Sequence, residues 1–417
     1  MAPSATIASA ITQIARTAIC VDDIATNDSE ETAENMTDSS VPLPPKRESS
    51  PQRALYWALP MITLSWCVLF GIIALAVVRI QRWEIAPGDA SAVASRIEFS
   101  ASKDGDLPKR YDTSNSIHFV TALGGQLSIL DSILGWLDPY VSVQTFGEQF
   151  GDRDPTSTRR LGFQAMYSAK QIAEYVAMST LGLDAKLING AVVIEEVICE
   201  GAPQKNSACD VLDIGETITE LNSVKVPTLP ALAEQMKSVK VGDTVTLMVI
   251  PYDAEASSPD PTKAEKRTVT IMESPDTAGK PIIGFVPADT RTVSLPFEVD
   301  ISTTDIGGPS AGLAFTLALL DELTPGNLMG DAKVAATGTI NEAGNVGAIG
   351  ALVQKSVAVR EAGARVFLVP GGQGEKDIAA AQKAAGSQVR IIPVATLSEA
   401  LAELQKLGGD PLPPSNS

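Results

Sequence analysis

Two stretches of this chain hold residue types that can do nucleophilic or acid–base chemistry. The first is "DIGGPSAG", in which Ser310 follows Gly307, Gly308 and Pro309 and precedes Ala311 and an apolar run. The second is "IGALVQKSVAVREAG", which puts Lys355 45 positions after that serine. Glycines at 307, 308 and 312 let the backbone come close to a ligand. The first N–H groups of a helix starting here have no internal partners and favour negative charge. Such a site suits an oxyanion beside a nucleophilic serine. It also suits a phosphate, or an N-cap serine with no chemistry at all. Lys355 has Leu352 and Val359 on its own helix face. An amine held against that face loses solvation, and its pKa falls toward a value useful for a base. A base of that kind can take the Ser310 proton and return it to a leaving amine. The competing reading of Lys355 is an ordinary solvated surface charge. The single histidine, His118 in "SIHFV", lies far from both motifs and reads as a structural strand residue.

These side chains need elements to position them. Ser310 opens the helix "PSAGLAFTLALLDEL", and Lys355 rides on "LVQKSVAVREAG". Around them, "IIGFVP", "TVSLPFEVDI", "KVAATGTI", "RVFLVP" and "VRIIPV" read as strands, and "LSEALAELQKL" as a further helix. Residues 280–408 are thereby an α/β layer. Upstream, "SIHFVTA" alternates like a strand. In "QLSILDSILGWL", Leu127, Leu130, Ile133, Leu134 and Leu137 fall at helical spacing. "STRRLGFQAMYSAKQIAEYVAMSTLG" is a longer helix closed by Gly182. This segment, 116–182, is expected to pack with the C-terminal unit. Residues 183–275 form a separate β-rich module with one short helix, "TLPALAEQMKSV".

The N-terminal part is of another kind. Residues 1–53 are polar and acidic, and are expected to form a disordered tail, with a short helix near Thr6–Ala18. Ala54 to Val78 is an uncharged run of 25 residues, long enough to cross roughly 30 Å of hydrocarbon as a transmembrane helix. Tyr56, Trp57 and Trp83 stand near its ends, as interface aromatics do. Lys46, Arg47 and Arg53 precede it and Arg79 and Arg82 follow it, which favours a cytoplasmic N-terminus with the C-terminal domains outside. A polar linker is expected over 79–115 and a second disordered tail over 409–417.

Composition narrows the function classes. The net charge of −18 excludes a general nucleic-acid binder, which needs a basic face. With one histidine and no CxxC, no metal site and no cofactor are expected. Cys199 and Cys209 lie ten residues apart in one loop region, as a disulfide or as two reduced thiols.

"GGPSAG", then "ATGTINEAGNVGAIG" and "IGALVQKSVAVREAG", resembles the proteolytic domain of the Lon family. The resemblance implies a Ser-Lys dyad, with Ser310 the nucleophile and Lys355 the general base. Gly308, Pro309, Ala311 and Thr339 are weaker candidates for shaping the oxyanion site. "VICEGAP", "LDIGETITELNSVKV" and "VGDTVTLMVI" resemble a PDZ domain of the bacterial protease type, which binds a peptide as an added strand. Its carboxylate loop is expected at Asn189, Gly190 and Ala191, although a plain tight turn fits that stretch equally well.

The order of span, PDZ-like unit and Lon-type domain resembles the membrane-anchored, Lon-like PDZ proteases of Gram-positive bacteria. The fold expected is an α/β (α+β) Lon-type proteolytic domain with a PDZ-like β-rich module, preceded by one transmembrane helix and a disordered tail. In this group Gly307 stands where ATP-dependent Lon enzymes carry an acidic residue. No GxxxxGK(S/T) motif occurs, so no ATP is expected. The partners implied are protein or peptide substrates, membrane lipid through one helix, and further copies of the chain, since Lon-type domains often assemble as rings of six. The function implied is an ATP-independent serine endopeptidase. The alternative is an inactive, membrane-tethered PDZ adaptor.

Overall fold

The computed structural model describes residues 51–101, 107–111, 115–151, 155–252, 259–275, 277–288, 290–303 and 306–413. The helix expected near Thr6–Ala18, and the tail up to residue 50, lie outside the described residues. The chain divides after Ser65 into two units, and the fold described below belongs to the second.

In chain order the elements used here begin with helix α1 (Pro51–Val77), strand β1 (Arg79–Ala92), β2 (His118–Ser128), α2 (Ile129–Leu137), β3 (Ser142–Thr145) and α3 (Pro155–Thr180). The β-rich module follows, with β4 (Val192–Val197), β5 (Thr217–Leu221), α4 (Leu229–Met236), β6 (Thr244–Ile250), β7 (Glu265–Thr270) and β8 (Phe285–Pro287). The C-terminal part has α5 (Gly312–Leu323), β9 (Val334–Ala336), α6 (Leu352–Glu361), β10 (Val366–Pro370), α7 (Glu375–Ala385), β11 (Arg390–Val394) and α8 (Leu397–Lys406).

Within α1, the stretch Ala58–Val77 is long and apolar enough to cross a membrane. Pro60 lies inside this helix near its start, a position that membrane helices tolerate.

A six-stranded sheet carries the functional part, in the order β11-β10-β9-β2-β1-β3. The strands β9, β10 and β11 are mutually parallel, and β9 is also parallel to β2. Helices α6 and α7 make the crossovers between them, as parallel neighbours require. Every residue of β9 and β10 is buried, the uniform burial expected of parallel strands covered on both faces. On one side the core joins Met166, Ile172, Ala173 and Val176 of α3 to Leu313, Phe315, Leu317 and Leu320 of α5. On the other, Leu352, Ala358 and Val359 of α6 pack with Phe367, Val369 and Ala381. Each large side chain so buried stabilises the fold by about 1.5–3 kcal/mol.

The module has its own sheet, ordered β7-β6-β5-β4-β8, and its own core around Ile194, Leu221, Leu247 and Ile271. At the point where the chain enters and leaves this module, Lys186–Ile188 pairs antiparallel with Thr292–Ser294.

Three boundaries differ from those the sequence suggests. The expected linker 79–115 contains β1, which pairs with both β2 and β3 inside the large sheet. Its irregular register, shifted between Arg79 and Trp83 and again between Pro87 and Ala90, breaks the period-two pattern by which strands are recognised. Gly88 is needed there, since a Cβ would lie 2.6 Å from the Thr121 hydroxyl. The same expected linker holds Ile97–Ser100, which pairs with Glu298–Ile301. Second, "IIGFVP" supplies β8, the last strand of the module's sheet rather than a strand of the C-terminal unit. Third, the tail expected from 409 is held at its start: Asp410 N–H donates to the Asn327 carbonyl at 2.9 Å, and Leu412 packs against the core.

Candidate active site

Ser310 sits in the turn that leads into α5, one residue before the helix N-cap. The N-cap is Ala311, and no side chain caps this helix. The serine hydroxyl is therefore free of the capping role that its position in the sequence allows. Helix α5 is buried from Gly312 through Glu322, as a helix apolar on all sides must be. Gly312 permits this: a Cβ there would stand 3.0 Å from Ile340 Cγ2 and 3.1 Å from the Ile340 backbone nitrogen. The Ser310 carbonyl is fixed from behind. It accepts from Gly338 N–H at 2.8 Å and from the Thr337 hydroxyl at 3.0 Å.

Lys355 reaches the same point from α6. Its Nζ donates to Ser310 Oγ at 2.7 Å and to Thr337 Oγ1 at 3.3 Å. The helix starts at Ala351, held in the left-handed region at φ 57°, so Lys355 lies in its first turns. The side chain is buried, and desolvation pushes its pKa down to about 8. Desolvation is the cause of this shift, and among the described residues no carboxylate forms an ion pair with Lys355. An amine in this state is partly neutral near physiological pH and accepts a proton.

The two residues share a cleft of about 620 Å³, which Met166 of α3 and Phe119 of β2 also line. Gly308, Pro309, Ala311 and Thr339 all face it. Two of these cannot donate to an oxyanion: the Gly308 N–H is committed to the Gly162 carbonyl at 2.7 Å, and proline has no N–H. The N–H groups of Ser310 and of Ala311, the helix N-cap, remain as candidates. A smaller pocket of about 220 Å³ adjoins the cleft, sharing Pro309 and Thr339 and lined by Leu161, Ala165, Ala169 and Ile172 of α3.

Thr337 is the residue that sequence reasoning missed, although "ATGTI" was in view and Thr339 was taken from it. The strand breaks at Gly338, with φ 149°, so the two threonines do not follow one strand period. The signal was present only in the glycine between them. His118 stays on β2, with Nδ1 2.9 Å from the Ser116 carbonyl, and does not line the cleft.

Gly307 has a structural role of its own. A Cβ at that position would lie 3.2 Å from the Gly162 carbonyl carbon and 3.4 Å from its Cα. The turn before Ser310 thus rests directly on the backbone of α3.

The remaining expected site residues lie in the module. Asn189 and Ala191 are exposed and Gly190 half-buried, in the turn between Lys186–Ile188 and β4. A Cβ on Gly190 would stand 2.2 Å from the Thr290 carbonyl, and the Thr290 hydroxyl donates to the Ala191 carbonyl at 2.6 Å. The sheet ends in β7 on one side and β8 on the other, and β8 pairs only with β4. Cys199 and Cys209 are joined in a disulfide with their Cα atoms 5.3 Å apart. Among the described residues no group of three His, Cys, Asp or Glu is placed to hold a metal ion.

Parts of the chain are similar to known proteins. A Lon protease of Neorickettsia sennetsu is 34% identical over 118 residues, 28% of this chain and 14% of that protein. A Lon protease of Xanthomonas oryzae pv. oryzae is 38% identical over 94 residues, 22% of this chain and 11% of that one. The match therefore spans only a small part of those relatives' length. Among solved structures, the PDZ domain of an SdrC-like protein from Listeria monocytogenes aligns with 24% of this chain and 90% of its own, at 25% identity and a TM-score of 0.19. Residues 298–406 match the model of the Lon protease (S16) C-terminal proteolytic domain.

Proposed function

We propose that this chain is a membrane-anchored serine endopeptidase that works without ATP, with Ser310 as nucleophile and Lys355 as its base. The observation that carries the reading is the 2.7 Å hydrogen bond between Lys355 Nζ and Ser310 Oγ, made by an amine whose burial lowers its pKa. In the neutral form the amine accepts the hydroxyl proton as Ser310 Oγ attacks a peptide carbonyl. The oxyanion that forms lies against the N–H groups of Ser310 and Ala311, at the positive end of α5. The ammonium then gives its proton to the departing amine, leaving an acyl-enzyme. Water, activated by the same lysine, releases the product acid. Thr337 holds Lys355 and the Ser310 carbonyl in one frame.

The substrate class follows from the site and the module. The pocket beside Pro309 and Thr339 suits an apolar side chain. The end strand β8 suits addition of an extended peptide to the module's sheet. Together they favour unfolded or exposed protein segments. The apolar stretch Ala58–Val77 supports anchoring to a membrane, with the N-terminus in the cytoplasm and the proteolytic domain outside. A homo-oligomer goes with the Lon-type domain.

The test uses the full chain in detergent or vesicles, an unfolded protein as substrate, and parallel reactions with and without ATP. Wild type cuts equally in both; Ser310→Ala and Lys355→Ala reduce cutting by about 10³-fold or more. Equal cutting by all three proteins would remove the dyad. Peptide binding without cutting by wild type would make the chain an adaptor.

A further inference from the structure

Helix α2 is amphipathic in the wrong sense for a water-facing surface. Ile133, Leu134, Trp136 and Leu137 are 51%, 49%, 81% and 67% exposed. At 100° per residue, the apolar residues of this helix cover an arc of about 160°. The opposite side faces the protein. There Gly135 is buried, and a Cβ on it would stand 3.1 Å from Val143 and 3.3 Å from Val141. Asp131 is also on that side, closing a capping box with Ser128 and facing Arg79 at 3.5 Å. A surface helix of a soluble domain buries its apolar stripe and wets its polar one. Here the small and polar residues are turned inward and the large apolar ones outward, Trp136 most of all.

The location of α2 identifies what covers it. Its first residue is tied to the end of α1: Ile129 N–H donates to the Val78 carbonyl at 3.3 Å. Arg79 reinforces the joint, donating to the Gln126 carbonyl at 2.8 Å. A helix of nine residues is about 13 Å long, so no part of α2 is far from the point where the apolar helix ends. The headgroup region begins at that level, and tryptophan and arginine favour it. The helix that carries the apolar arc thus starts beside the point where the apolar helix ends.

We infer that α2 lies in the membrane interface, with Ile133, Leu134, Trp136 and Leu137 in the lipid, as a second contact that fixes how the proteolytic domain stands on the bilayer. This rests on the reading of α1 as a membrane span.

The experiment uses the full chain carrying Cys20→Ser and Cys67→Ser, in vesicles of phosphatidylcholine with one-quarter phosphatidylglycerol. Single cysteines replace Trp136, Leu137, Leu69 in α1, or Lys237 at the end of α4, and carry a polarity-sensitive fluorophore. Trp136 and Leu137 are largely exposed, so cysteine there leaves the fold intact. Lipids bearing a nitroxide near the headgroup should quench the labels at 136 and 137 and not the label at 237, and emission at 136 and 137 should be blue-shifted. If the label at 69 lies in lipid while those at 136 and 137 are open to aqueous iodide, the span stands and the inference falls. If 136 and 137 are shielded from iodide but untouched by the lipid nitroxide, a second copy of the chain covers α2 and the inference falls. If the label at 69 also reports water, the span reading fails and takes this inference with it.

Discussion

Burying Lys355 destabilises the fold, and in the proposed mechanism it yields a usable base. The ordinary lysine pKa of 10.5 falls to about 8 in the folded chain. At pH 7 about a tenth of the side chain is neutral, and the fraction rises with pH. Cleavage rate under kcat/KM conditions should therefore climb through about pH 8 and level off above it, which a pH–rate profile checks. The stability sign is opposite to that of a salt-bridged lysine. Between about pH 8 and 10.5 the unfolded chain binds the extra proton, so stability rises with pH across that window. Below pH 8 both states hold the proton and the burial cost stands in full, on the order of 3 kcal/mol. Lys355→Met should then abolish cleavage yet raise Tm at pH 7, by less than the full amount because Ser310 and Thr337 lose a partner. A calorimetric scan in which Lys355→Met melts below wild type would contradict this.

Gly307 is a second residue-scale test. An aspartate there must push its Cβ against the α3 backbone at Gly162. Gly307→Asp should cost about 1–3 kcal/mol by overpacking and move Ser310, lowering kcat more than it raises KM.

The proposed dyad is legible in the sequence because serine, lysine and their spacing form a pattern with a chemical purpose. Thr337 was not, because a single positive-φ glycine redirects the strand after it.

At the scale of elements, helices were easier to read than strand partners. The long apolar run, the α3 helix and the helices carrying Ser310 and Lys355 follow from residue periodicity alone. Strand β1 did not, because Pro87, Gly88 and two register shifts disguise it as a linker. Strand β8 was recognised as a strand but given to the wrong sheet, since alternation shows which face a residue takes and not which neighbour it bonds. The disulfide belongs to this scale too. It clips together the loop between β4 and β5, over a sequence separation of 10, and closing a loop of that length stabilises by up to about 3 kcal/mol. Reduction should lower the melting temperature of the module while leaving Ser310-dependent cleavage of a short peptide nearly unchanged. Loss of both together would show that the module and the site melt as one.

At the scale of the whole molecule, the large sheet is assembled from both ends of the described chain. Strands β1, β2 and β3 come from before the module and β9, β10 and β11 from after it. The cleft reflects this, since Phe119 and Met166 come from the earlier part and Ser310 and Lys355 from the later one. A fragment restricted to 298–406, the region matched to the Lon-type domain, would lack half of that sheet and should not fold. Circular dichroism and proteolysis of that fragment test the point against a fragment starting at Arg79.

The short pairing of Lys186–Ile188 with Thr292–Ser294 makes the module severable. Ile188 and Thr292 stand directly opposite one another, as the two ends of a hairpin do. A two-residue Asn-Gly turn can join such ends, replacing everything from 189 to 291. The shortened chain should keep Ser310-dependent cutting of small peptides and lose its preference for long ones, so that catalysis and substrate capture separate at one stem. The same stem could accept a different binding domain, retargeting the protease without touching the dyad.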